Sequence, residues 1–597
     1  MLPGREVVDD LALDAQAALR AYQRSPHQNG TSAVMVLDAA EVDIHPGAVA
    51  TERTQQVIHV LDQAGVEQHG EVSLPAGAEV IALRTIKPDG RILEPERGDE
   101  GKGSISLAGL EPGDFVEIDY VRGVRPPFGT LGYAADTFYF AAPGERLVRS
   151  IYLVRAPAGA GLVADAHGGL PAPTISPEGG AAVMRAEVRD AVPFVPEPES
   201  PAMVELLPSV DAGVGMDREA LQRGVADRLW GLALPTLEIR ALAGQIRAEA
   251  ADKSPAGLVQ AAYARVAKAV LGEGSPLEDA SAALSRGRGS RLLVLQAVLE
   301  ALGIEARVAL VRPFGADPAP HRFATAALYP SQLLRVRAGG ETFWLDPSSR
   351  MSPFGAIPDA LTGCEALILP APGEPLPVDR TPARSPVPDR RESALSISLA
   401  PDGAGELSGS DRYSGSLAAA LKGQLEPLDA SQRRQALEAM LSRMFQGMSL
   451  SEVAFEGEDD PEAPLVIRWR GRSQRLARPV EGGLVIEPGP IPAQLAARYL
   501  HLATRATPLL LQGADRSTAR VEIAAPPGLR VLAEPPAHKE TPFGSYQRID
   551  RAEGSGLLRE EQLVIERGRI APERYRDFSA FVAEVDGLRE APVRITR

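Results

Sequence analysis

"SRGRGSRLLVLQAVLEALGIEARVAL", residues 285–310, is the stretch on which the reading of this chain turns. Gly287-Arg288-Gly289 is a tight turn, because glycine enters positive-φ conformations without a steric penalty. Leu292, Leu295 and Leu299 then recur at helical spacing, which predicts an amphipathic helix. Gly303 stops it, as a glycine just past a helix end commonly does. A strand, "EARVALVR", follows. Ser290 stands at the first helical position, where backbone N–H groups lack intrahelical partners. It reads either as a nucleophile or as a helix cap.

Working outward, Ser254-Pro255 carries a cap residue and a proline suited to the first helical position. Val259, Tyr263, Val266 and Val270 line one face of the helix that follows. "QLLRVRA" and "TFWLDP" read as strands. Helices followed by an antiparallel run predict a compact α+β domain over 209–370. Upstream, residues 33–190 alternate with period two. Pro88-Asp89-Gly90 marks a hairpin turn, and many short strands predict a β-sandwich over 31–200. A helical lead-in occupies 1–30, with its helix at 8–24. Downstream, residues 370–388 hold seven prolines and mark a boundary. Beyond it, 389–597 reads as a mostly-β domain with one helix, Asp429 to Gln446. Asp429 caps that helix and Leu437, Met440, Leu441, Met444 and Phe445 form its stripe. The expected fold class is therefore multidomain α+β and mostly β.

A chain of 597 residues holds about three or four domains at roughly 150 residues each. The net charge of −16 argues against a nucleic-acid partner or a polybasic membrane contact, since both need a basic face. No apolar run approaches the roughly 18 to 20 residues that a membrane helix needs, so no membrane insertion is expected. The opening residues start no signal peptide. Cys364 is the one cysteine, so no internal disulfide forms. The 8 histidines are scattered without metal-ligand spacing, and no metal or other cofactor is expected. HExxH, P-loop, GxSxG and GxGxxG motifs are absent.

Residues 254–369 resemble the bacterial transglutaminase-like domain of the papain-like cysteine enzymes. The likeness rests on the glycine turn, on "Phe343-Trp344-Leu345-Asp346-Pro347", on "Pro353-Phe354-Gly355" and on the stretch Leu361 to Leu367. The flanks resemble the β-sandwich modules of unknown function that bracket this domain in an envelope-associated architecture. "HVLDQAGVEQHGEVSLPAGAEVIALRTIKPDGRILEPE" carries the N-terminal likeness and "GRIAPERYRDFSAFVAEVD" the C-terminal one. Together they cover roughly 30–597. In the family a Gly-x-Gly-x-Cys turn, a strand-borne histidine and the aspartate of Trp-x-Asp-Pro form the catalytic triad. Here the cysteine position holds Ser290. The histidine position falls on Gln332 or its neighbour Ser331. Asp346 keeps the third.

A serine hydroxyl needs a general base in contact, and Gln332 cannot accept a proton. The resemblance therefore implies a pseudoenzyme: a non-catalytic scaffold or binding protein. Its groove, lined by Gly287, Gly289, Ser290, Gln332, Trp344 and Asp346, would hold a protein or an envelope polymer. It also implies a lean towards the periplasm or cell envelope. The alternative is a residual hydrolase or acyltransferase using Ser290 with a base from elsewhere. His321 is the nearest histidine in sequence, and it reads as a solvated loop residue beside two prolines. Cys364 reads as a small buried hydrophobe at a strand start, Asp346 as a turn residue, and the acidic run 456–462 as a solvated turn without EF-hand spacing.

Overall fold

The computed structural model describes residues 15–24, 30–95, 104–125, 132–275, 277–491 and 494–597. The chain divides into two compact units. The first comprises 1–197, 201–228 and 317–328, and the second 198–200, 229–316 and 329–597.

The first unit is built on two sheets. Eight strands pair in the order Thr174–Glu178, Ala181–Ala191, Arg146–Pro157, Ala33–Ile44, Ala50–Val60, Phe115–Val124, Glu79–Ile86 and Ile92–Leu93. A smaller sheet is centred on Ser209–Val214, which pairs with Leu162–His167, Tyr133–Ala134 and Phe138–Tyr139. Their apolar faces meet in one core. Val42, Tyr152, Val154 and Met184 come from the large sheet, and Leu162, Val210, Ala212 and Val214 from the small one. This is the packing of a β-sandwich. The central strand Ser209–Val214 lies beyond residue 200, so the sandwich runs further than its expected boundary. Gly90, at φ +87°, closes the hairpin between Glu79–Ile86 and Ile92–Leu93. The lead-in helix is Ala15–Gln23, with Leu19 and Tyr22 buried against Val36 and Leu37. The earlier part of the expected helix, 8–14, lies outside the described residues.

In the second unit, four helices (Leu237–Glu249, Pro255–Ala269, Ala280–Arg286 and Arg291–Ala301) accompany a five-stranded antiparallel sheet. Its order is Glu341–Leu345, Ser331–Ala338, Glu305–Val311, Glu365–Ile368, Val378–Arg380. The Arg291–Ala301 helix is not amphipathic. Every residue from Arg291 to Leu299 is buried, because the other three helices and the strand Glu305–Val311 surround it. A helix apolar on nearly all sides is a core helix. The proline-rich stretch 370–388, read as a boundary, also contributes a strand: Val378–Arg380 is the sheet's last. Proline is tolerated at such an edge because the outward N–H needs no ladder partner.

The C-terminal part of this unit carries a second eight-stranded sheet, running from Met448–Glu456 at one edge to Ala537–Thr541 at the other. The helix Ala430–Met444 begins with a capping box formed by Asp429 and Gln432. Leu437, Leu441 and Phe445 enter the core, whereas Met440 stays exposed. The expectation of one helix is corrected. Gly415–Leu425, Leu495–Tyr499 and Pro572–Glu590 are also helical. In the last, Tyr575, Phe578, Val582 and Val585 form a buried stripe. These residue types favour strands in general, but their spacing here is that of a helix face.

Candidate functional site

The turn before the core helix is held by backbone geometry. Gly287, at φ +65°, caps the Ala280–Arg286 helix, and its N–H donates to the Ala283 and Leu284 carbonyls. The Gly287 carbonyl accepts from the Leu271 and Gly272 N–H groups, and the Gly289 N–H donates to the Gly272 carbonyl. Gly289, at φ +135°, is buried so closely that an added Cβ would lie 2.7 Å from Ala283 Cβ. The two glycines are thus required by conformation and space.

Ser290 is the N-cap of the Arg291–Ala301 helix. Its Oγ accepts from the Leu293 N–H at 3.3 Å. Among the described residues this is the hydroxyl's one hydrogen bond. Arg291 is buried and reaches across to the segment after Asp346. Its Nε donates to the Pro347 carbonyl at 3.0 Å and its Nη1 to the Val270 carbonyl at 3.1 Å. Its Nη2 donates to the Ser348 carbonyl. One arginine side chain therefore ties the helix start to the Trp-x-Asp-Pro turn, and nothing in the sequence pattern announced it.

Asp346 follows the strand Glu341–Leu345 and is 8% exposed. Its Oδ1 accepts from the Ser348 N–H at 3.0 Å, and its backbone carbonyl accepts from the Tyr263 hydroxyl at 2.9 Å. Burial pushes its carboxyl above the ordinary value, against the hydrogen bonds from Ser348 and the Arg291 charge. The carboxylate organises its own turn. Gln332 is exposed near the start of Ser331–Ala338, paired in register with Leu310. Strand alternation turns it to the side opposite Leu333. Among the described residues its side chain makes no hydrogen bond. Trp344 does not line a groove. It is 7% exposed and packs with Leu333, Val311, Leu361 and Cys364.

Cys364 and His321 are the two possible stand-ins. Cys364 is buried before the strand Glu365–Ile368, its Sγ 3.4 Å from the Ala360 and Thr362 carbonyls. Burial pushes its thiol up, with Arg567 pulling the other way. A thiol held neutral is a poor nucleophile. His321 corrects its reading as a solvated residue. Its side chain is 7% exposed and its Nε2 lies 3.0 Å from Asp317 Oδ2. Segment 317–328 folds within the first unit, where the His321 ring centroid lies 4.8 Å from that of His167. The acidic run 456–462 forms a turn, and Lys422 Nζ donates to the Asp460 carbonyl within it and to the Ala463 carbonyl just after it, at 2.6 Å each.

The sequence showed no metal-ligand spacing, but the fold makes a cluster. Asp165, His167 and His321 each offer a donor atom within 4.8 Å of the others. These residues were missed because the third arrives from a distant loop. The one local signal was the Asp-x-His spacing on a strand, which puts both side chains on one face.

No curated protein matches the chain. A domain of unknown function with a solved structure, DUF3858, matches residues 483–593. The chain is similar to a solved structure described as a "putative protease" from Parabacteroides distasonis ATCC 8503. The TM-score is 0.65 at 12% identity, over 95% of this chain and 99% of that one. At that identity the likeness shows the fold: this chain has, nearly end to end, the multidomain α+β architecture of that protein.

Proposed function

We propose that the protein is a non-catalytic, transglutaminase-like scaffold that acts by binding a protein or an envelope polymer. One observation carries the reading. The hydroxyl at the nucleophile position is used as a helix cap, and the position that would supply its base holds an exposed glutamine. Without a base in contact, a serine hydroxyl stays protonated and unreactive at neutral pH. On this reading the surface offers a turn with N–H groups at a helix start, together with Ser290 and Gln332, neutral side chains that donate and accept hydrogen bonds. Such a surface suits an amide or carboxylate of a peptide or polymer.

The second reading, a residual hydrolase or acyltransferase using Ser290, draws on the likeness to the Parabacteroides protein described as a protease. Turnover assays with glutamine-donor and peptide substrates separate the two. The scaffold reading expects no turnover above that of Ser290→Ala. Activity lost in Ser290→Ala and kept in Cys364→Ala overturns it. Binding is read by co-sedimentation with insoluble cell-wall polymer and by pull-down from an envelope extract. Gln332→Trp should weaken capture if this surface is used.

A further inference from the structure

Asp165 and His167 stand two residues apart on the strand Leu162–His167, so the pleat aims both to one face. Asp211, on Ser209–Val214, is the direct cross-strand partner of Asp165, and directly opposed residues share a face. Two like charges so opposed destabilise a strand pair unless a cation lies between them. Among the described residues, no lysine or arginine forms an ion pair with either aspartate. Their one ion-pair partner is His167, whose Nε2 is 2.9 Å from Asp211 Oδ2 and 3.9 Å from Asp165 Oδ2.

Segment 317–328, which belongs to the same unit, brings a second imidazole and a third carboxylate. His321 Nε2 lies 3.0 Å from Asp317 Oδ2, and the side chains of both are less than a tenth exposed. The Arg322 N–H donates to Asp165 Oδ2 at 2.9 Å. Three carboxylates and two imidazoles thus converge, with side chains between 5% and 19% exposed. The donor set is nitrogen and oxygen, which suits borderline divalent cations. Zinc sits about 2.0 to 2.2 Å from such donors. Donors already within 4.8 Å of one another need only a small inward movement to reach it. Ligating histidines commonly pass their second ring nitrogen to a carboxylate, which fixes the ring. Asp211 and Asp317 are the carboxylates within hydrogen-bond reach of His167 and His321.

We propose that Asp165, His167 and His321 form a binding site for a divalent first-row transition cation of the zinc class. Asp211 and Asp317 orient its two imidazoles. The ion neutralises the opposed aspartates and fastens segment 317–328 to the strand Leu162–His167. The site is independent of the Ser290 groove, so it stands or falls apart from the scaffold reading.

The test uses the full chain, stripped with a chelator, dialysed and titrated with zinc chloride in a calorimeter. One ion per chain is expected, with a higher melting temperature in the loaded protein. Asp211→Asn should weaken zinc affinity about 10- to 100-fold, the usual consequence of removing a carboxylate behind a ligating histidine. His321→Ala should abolish stoichiometric binding. Should that variant misfold, X-ray absorption at the zinc edge of the wild-type protein decides, because two imidazoles give a distinct outer-shell signal. No stoichiometric ion, an ion without imidazole scattering, or undiminished binding by a folded His321→Ala each overturns the proposal in favour of a plain ion-pair network.

Discussion

Arg291 donates from Nε to the Pro347 carbonyl at 3.0 Å, joining the first residue of the core helix to the turn that follows Asp346. With its further bonds to Val270 and Ser348, it holds the helix start and the Asp346 turn together. Removing it leaves buried carbonyls without partners, and such groups cost about 1 to 3 kcal/mol each. Arg291→Ala is therefore expected to lower unfolding stability by roughly 3 kcal/mol, read by urea denaturation. Arg291→Lys should recover only part of the loss, because an ammonium cannot reproduce the planar fork of donors.

Ser290 acts through the same helix start. Its hydroxyl accepts the Leu293 N–H, and replacing a serine cap by alanine costs about 1 kcal/mol. Ser290→Ala should show that loss, and Ser290→Gly only a few tenths, since glycine is itself an acceptable cap residue. Equal losses in the two variants would show that the cap contributes little.

The turn at Gly287–Gly289 and the motif ending at Asp346 are legible in the sequence because their causes are local: positive φ, a missing Cβ, an aspartate bonding its own turn. The strands around Ser331–Ala338 follow from their alternating pattern. What escapes is long-range. Arg291 stands next to Ser290 as an ordinary charged residue, and its partners are backbone carbonyls that no side-chain pattern encodes. His167 and His321 meet only because segment 317–328 folds with the first unit. The helix Pro572–Glu590 is a different case, since the spacing of residues 575, 578, 582 and 585 is a local signal. A domain expected to be mostly β masks it.

Glu41 is buried in the sandwich without a hydrogen-bonded partner. It is 3% exposed, and neither carboxylate oxygen has a hydrogen-bond partner. Arg155 approaches no closer than 3.9 Å. Burial first, and the neighbouring Asp43 second, push its carboxyl up to about 7. A carboxyl raised in the folded state favours the neutral form. Its contribution is complete below the unfolded value near 4.5 and is lost as pH rises through about 7. The wild type should therefore lose stability between about pH 4.5 and 7 relative to Glu41→Gln, by roughly 3 kcal/mol from a shift of this size. Parallel pH profiles of the two proteins would exclude this assignment.

The most direct probe of the proposed binding surface is to install a thiol and an imidazole at residues 290 and 332. Ser290→Cys with Gln332→His, made in a Cys364→Ala background, places a thiol at the helix start and an imidazole on the strand Ser331–Ala338. A helix N-terminus favours negative charge through its partial positive charge and free N–H groups. An imidazolium nearby adds to that, and the two together move cysteine pKa values towards neutrality. The double variant should react with iodoacetamide at about pH 7 well ahead of free cysteine. Ser290→Cys alone should show the smaller gain due to the helix. The wild-type pair, Ser290 and Gln332, has no group that ionises near neutral pH. Any pH dependence contributed by these two positions should accordingly be absent between about pH 5.5 and 8 in the wild type, and should appear in the double variant as the thiol and imidazole titrate. A thiol in the double variant no faster than in Ser290→Cys would mean that residue 332 does not face the helix start, and a purely structural role for this turn would follow.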